Sequence, residues 1–199
     1  MNPVITIWEK YTADGRQNNW FGGGGAPVNE SATLTNLLRK AFQMAGESVP
    51  LGFDVAKIQP TLAKLPGDLD TGLEPLFASV WPSDSFHVGR IELFGPERIN
   101  YEHAELLPSC LVIKHGFLGI GSDGAGTIFC YCVADKQVYL VPHEGVYEDA
   151  VSVPSRGEQE PSAENIKAVS EQTWASLGAL FEWAFAELYV IEAQGSGRE

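Results

Sequence analysis

The chain has 199 residues, and its 26 Asp and Glu against 13 Lys and Arg give a formal charge of -13 at pH 7. That balance argues against a nucleic-acid binder, whose affinity comes largely from Lys and Arg displacing phosphate counterions. With 44% apolar residues, 20% charged residues and three cysteines, the composition is that of a globular protein with reduced thiols, not of a secreted cystine scaffold.

Met1 to Lys10 has no basic n-region and only a short apolar run, so it does not read as a secretory signal and the expected location is the cytoplasm. Within it, Val4 to Trp8 is β-branched and aromatic, as a strand requires, and Asp14-Gly15 marks a turn. The run Gly22 to Gly25 predicts a flexible loop over Gln17 to Val28, the boundary of an N-terminal appendage. A helix follows, capped by Asn29 or Ser31, with Leu34, Leu37, Leu38, Ala41 and Phe42 on one face and its end at Gly46. Prolines at 50, 60, 66, 75 and 82 then cut the chain into pieces that leave only a turn or two of helix, around Val55 to Leu65 and Leu73 to Trp81.

Short β-rich runs take over at Val88 to Phe94, Cys110 to Lys114, Phe117 to Gly121, Thr127 to Ala134, Gln137 to Val141 and Ala150 to Val153. In Thr127 to Val133 both the odd and the even positions are largely apolar, which predicts a central strand covered on both faces. Ala134-Asp135-Lys136 joins it to the next strand as an antiparallel hairpin. Pro154 to Pro161 reads as a surface loop. A last helix runs from a Ser170 cap to Leu188, its stripe formed by Trp174, Leu177, Leu180, Phe181, Ala184 and Leu188; Trp183 and Phe185 widen that stripe, which means either deep burial, the reading preferred, or apolar area offered to a partner. Residues 195–199 form a frayed tail. The longest apolar stretch, Leu177 to Ile191, is broken by Glu182 and Glu187 and falls short of the ~20 residues that a membrane helix needs, so no membrane span is expected.

Motifs that carry chemistry are sparse. Gly119-Ile-Gly121-Ser-Asp-Gly124 has the letters of a dinucleotide fingerprint, but a strand follows where the fingerprint needs a helix, so turn chemistry is the reading. The glycine run lacks the Gly-Lys-Ser/Thr ending of a phosphate loop. Cys130 and Cys132 point to the same strand face without a C-x-x-C knuckle, which suits buried structural thiols better than a zinc site. His87, His103, His115 and His143 have neither metal nor triad spacing and read as loop or strand-end residues. No catalytic, metal or cofactor residue is assigned on these grounds.

The segment Leu107 to Gly145 resembles the SMI1/KNR4 (SUKH) superfamily. It has the order Gly116-x-x-x-Ile120-Gly-Ser-Asp-Gly-x-Gly126, an aromatic and aliphatic strand, a polar hairpin, and Val138-Tyr-x-x-x-His143. Ser170-x-x-x-Trp174-x-x-Leu177 is similar to that family's closing helix. The resemblance implies an α+β fold, with a mostly antiparallel or mixed sheet flanked by helices, as one domain over residues 1–199 with an N-terminal elaboration over residues 1–50. It also implies an immunity protein that binds and neutralises a cognate bacterial toxin, or alternatively a regulatory or scaffolding adaptor.

Charge sharpens the first expectation. Residues 1–100 carry 11 acidic and 8 basic side chains and residues 101–199 carry 15 and 5, so the acidity belongs to the second half. Such a half is either a solvated surface or a face that steers a basic partner, such as a nuclease toxin, into contact. Candidate contacts are Asp123, Asp135, Glu144, Tyr147, Glu148 and Asp149, all in expected loops or strand ends.

Overall fold

The computed structural model describes residues 27–44, 50–67, 71–143, 146 and 162–185. The fold is α+β. Strands β1 (Phe86–Val88), β2 (Ile91–Leu93), β3 (Phe117–Ser122), β4 (Ile128–Cys132), β5 (Val138–Val141) and β6 (Gln172–Trp174) form a sheet in sequence order. Every neighbouring pair is antiparallel. The helices are α1 (Pro27–Met44), α2 (Gln59–Leu62), α3 (Glu74–Ser79), α4 (Pro96–Glu105), α5 (Ser109–Val112), α6 (Ala163–Val169) and α7, described over residues 177–185. Among the described residues, no helix is long and apolar enough to cross a membrane.

Strand β4 is buried at every position, as its apolar residues at both parities predict. One face holds Cys130, which lies opposite Gly119 and Tyr139 in the neighbouring strands. Over that face sit α4 and α5, whose His103 and Ser109 approach Gly119 so closely that a Cβ there would lie 3.1 Å from Ser109 Oγ. The other face holds Phe129, whose ring centroid is 5.5 Å from that of Trp174 and 6.2 Å from that of Trp183. On this second side α1 buries Leu34, Leu37, Leu38, Ala41 and Phe42, with Phe42 5.0 Å from Phe86. Trp81, fully buried after α3, meets Phe181 of α7 at 6.0 Å and donates its indole N–H to Phe94 O at 2.8 Å. Phe185 is fully buried and Trp183 is half-buried against Trp174, so burial accounts for the widened stripe of the last helix.

The two central hairpins match their expected chemistry. Between β3 and β4, Asp123 Oδ1 accepts from Ala125 N–H and Thr127 N–H, and Gly124 and Gly126 take positive φ; the glycine motif is therefore a turn between strands. Between β4 and β5, Asp135 Oδ1 accepts from Gln137 N–H and Lys136 adopts φ 63°.

Elsewhere the structure departs from the expectations. Val88 to Phe94 is not one strand but part of the β1–β2 hairpin, because Gly89 takes φ +59° and its missing Cβ leaves room for Ala184 O. Cys110 to Lys114 is helical: it lies in α5 and a following 3-10 turn, its β-branched residues buried there by tertiary contacts that override their strand preference. The first helix begins at Pro27, ahead of both Asn29 and Ser31. Ser170 caps no N-terminus; its Oγ donates to Ile166 O and it closes α6 instead. Trp174 belongs to β6, opposite Val138, and the helical stripe starts only at Leu177. The expected features at Val4 to Trp8, Gly22 to Gly25, Gly46, Ala150 to Val153, Pro154 to Pro161, Leu188 and residues 195–199 lie outside the described residues.

Candidate partner-binding site

Of the six contacts chosen from charge, Asp123 and Asp135 fall within the described residues, and Glu144, Tyr147, Glu148 and Asp149 lie outside them. The sheet does not bring the two aspartates together. They occupy the hairpin turns at opposite ends of β4, and five residues at ~3.3 Å rise keep those ends about 13 Å apart. Asp123 is exposed at the end where β5 finishes, with Oδ1 engaged by its own turn.

Asp135 is committed to the fold more heavily. Its carboxylate accepts from Gln137 N–H at 3.0 Å, Tyr139 OH at 2.8 Å and Lys167 Nζ at 2.7 Å, tying α6 to the β4–β5 hairpin. Partial burial works against its charge, but the hydrogen bonds from Lys167, Gln137 and Tyr139 outweigh it and hold the pKa down at about 2. Burial and the same carboxylate push the Tyr139 phenol up to about 12. A charge held by three donors on its own chain is a structural clamp first.

A second polar group is enclosed beneath α4. His103 is 1% exposed; its Nε2 accepts from Gly119 N–H at 3.0 Å, so Nδ1 carries the proton and donates to Ser109 O at 3.0 Å. Burial holds its pKa down at about 4; the Ser109 carbonyl pulls the other way, whereas the Gly119 N–H occupies the lone pair that a second proton would need. Glu102, also 1% exposed, pairs with Arg98 at 2.6 Å and receives Ser109 Oγ at a long 3.5 Å. Burial pushes its carboxyl up, with Arg98 opposing. Serine, histidine and glutamate thus meet, but the imidazole's only basic nitrogen faces a backbone N–H rather than the serine hydroxyl, which is not the arrangement of a nucleophile and its base. His103 is therefore an interior helix residue and not the loop or strand-end residue expected from spacing. Cys130 lies on the same face, and burial pushes its thiol far up.

A cavity of about 280 Å³ opens between α4 and the start of β1, lined by Ser83, Asp84, Ser85, Gly95, Glu97, Arg98 and Tyr101. Gly95 makes it possible: a Cβ there would lie 2.6 Å from the Asp84 carbonyl carbon, so only glycine lets the start of α4 close against residues 84–85. Ser85 Oγ accepts from Gly95 N–H at 3.3 Å, and Phe94 N–H bonds Ile120 O, which anchors the helix start to β3. From the other end, Lys64 Nζ donates to His103 O, and Asn100 accepts from Thr61 Oγ1 while donating to Lys57 O.

At the rim Tyr101 is 46% exposed, one of two large apolar side chains so exposed among the described residues. Arg98 lies between rings, its guanidinium carbon 5.4 Å from the Phe94 centroid and 5.8 Å from that of Tyr101. Its charge is taken up by Glu102. Asp84 and Glu97 are exposed, and among the described residues neither forms an ion pair. The cavity therefore presents two carboxylates that form no ion pair among the described residues, beside an aromatic face.

No protein-family model matches the chain, and neither a curated protein nor a solved structure is significantly similar to it. The resemblance to the SMI1/KNR4 superfamily thus rests on residues 107–145 and 170–177 alone.

The cavity has no counterpart among the elements expected from sequence, which leave residues 95–106 unassigned. A signal was present: Gly95-Pro96 is a helix start with proline at the first position, and Ile99, Glu102 and His103 repeat on one face, leaving Glu97 and Tyr101, four apart, on the other.

Proposed function

We propose that this chain is an immunity protein that binds and neutralises a cognate bacterial toxin in the cytoplasm, and that the toxin is basic, as a nuclease is. The observation that carries the reading is the charge: a twofold excess of acidic over basic side chains, concentrated in the second half that also bears the SUKH-like segment. Carboxylates on an inhibitor can occupy the place of phosphates in a nuclease cleft, and complementary charge speeds association. The α+β architecture with an antiparallel sheet is the one that the resemblance implies, and exposed Asp123, Asp84 and Glu97 are available to a partner.

The test is to capture the chain's partner from its native lysate and to titrate the purified pair by calorimetry at low and high salt. Tight binding that weakens as salt rises, with protection of cells from the toxin, is the expected outcome. Salt-independent binding counts against the electrostatic part, and recovery only of housekeeping proteins favours a scaffolding adaptor. Reversing Asp123 to lysine slows association if that end of the sheet meets the toxin, and reversing Glu148 and Asp149 to lysine tests those two contacts separately.

A further inference from the structure

We infer that the cavity between α4 and the start of β1 receives a single lysine or arginine side chain projected by a protein partner. The inference rests on the proposed reading for the partner's identity, but the chemistry is set by the cavity itself. About 280 Å³ suits one long side chain and is small for a cofactor. Its two acidic groups, Asp84 and Glu97, have no cation of their own among the described residues, while its one basic group, Arg98, is spent on Glu102 and stacked between Phe94 and Tyr101.

A cation entering here meets two carboxylates, the Ser83 and Ser85 hydroxyls and the exposed Tyr101 ring. An anion would meet the same two carboxylates and be repelled. The tyrosine adds apolar area to the stem of the incoming side chain and a π-face to its head, the combination that makes aromatic and arginine pairs dominate interfaces. The wall is preformed, because Gly95 and the Phe94–Ile120 hydrogen bond fix the start of α4 against its neighbours before any partner arrives, and the Arg98–Glu102 pair within the helix holds the arginine in place.

The probe is Nα-acetyl-arginine amide, titrated into the full-length chain and followed by amide NMR shifts, with the neutral citrulline analogue as control. The expected result is saturable shifts confined to residues 83–85, 95–98 and 101, with a Kd in the millimolar range, absent with citrulline. Asp84→Asn with Glu97→Gln should weaken this binding about tenfold and Tyr101→Ala by about threefold, with thermal melting unchanged. Shifts scattered over the acidic surface, or equal with citrulline, overturn the inference. A cognate toxin that binds the Asp84→Asn/Glu97→Gln variant as tightly as the parent also overturns it while leaving the immunity reading intact. Localised arginine-amide binding without any toxin complex upholds the cavity and removes the immunity reading.

Discussion

The interior network of Glu102, His103 and Ser109 and the rim clamp of Asp135, Tyr139 and Lys167 both serve the sheet face that carries Gly119, Cys130 and Tyr139. Inside, the imidazole is kept neutral, with one nitrogen on Gly119 N–H and the other on Ser109 O. At the rim, the carboxylate is kept ionised, with its side chain 26% exposed and a lysine 37% exposed as its partner. Where water is excluded, every donor needs a protein acceptor, and losing one group strands another. Where water reaches, solvent replaces a lost partner at little cost.

The hardest test of that contrast is His103→Ala. It strands the Gly119 N–H and the Ser109 carbonyl and opens a void under α4, so a loss of about 3–4 kcal/mol is expected in urea unfolding. A loss below about 1 kcal/mol would mean that water fills the space and that the interior network is not closed.

Acid should act through the same residue. The folded-state pKa of His103 is about 4 against 6.5 for a free histidine, so the unfolded chain takes up a proton that the folded chain refuses. Its stabilisation is complete above pH 6.5 and is lost as pH falls from 6.5 towards 4, by up to about 3 kcal/mol. Glu102 works in the opposite direction: its pKa is raised, so its burial is most costly when ionised and that cost fades as pH falls towards 4.5. Denaturant midpoints at pH 7, 5.5 and 4.5 read the net slope, and the His103 Cε1 proton resonance reads the pKa directly. A titration near 6.5 would break the comparison.

How much of this was legible beforehand follows the same division between local and tertiary causes. The β4–β5 hairpin and the two-sided burial of β4 were readable, because alternation and turn residues act over a few positions. The helical Cys110 to Lys114 and the strand at Gln172–Trp174 were not. Val112 and Ile113 are β-formers that burial beneath the sheet holds in helix, and Gln172 and Thr173 carry no apolar alternation of their own; they pair because β5 presents its edge. For the site, charge picked out Asp135, but the structure gives its charge to Tyr139 and Lys167. The cavity of Asp84, Glu97 and Tyr101 draws on residues on either side of a hairpin, which no single window of sequence brings together.

At the rim, Asp135→Ala removes an acceptor from Gln137 N–H, Tyr139 OH and Lys167 at once. Each of those donors can turn to water, so the expected loss is about 1 kcal/mol despite the number of bonds. The parent's contribution from Asp135 is present above pH 3.8 and is lost as pH falls towards 2, and the variant should lack that last stretch of acid sensitivity.

Lys167→Met gives the smallest effect and the sharpest comparison. The substitution keeps an unbranched stem against the Tyr139 ring, over which Nζ lies 5.6 Å from the centroid, and deletes only the ammonium that donates to Asp135 Oδ2 at 2.7 Å. An exposed pair of this kind is worth about 0.5 kcal/mol, so the urea midpoint should barely move and the remaining difference should vanish in molar salt. Asp135 nevertheless loses the largest of the favourable interactions that depress its pKa, so its carboxyl should titrate closer to 3.8 than to about 2, readable from its side-chain carbon shift. A large pKa change with a small stability change is what a solvated clamp must give. Were the loss instead above about 1.5 kcal/mol, the rim would be answering as the interior does, with solvent unable to replace the missing donor.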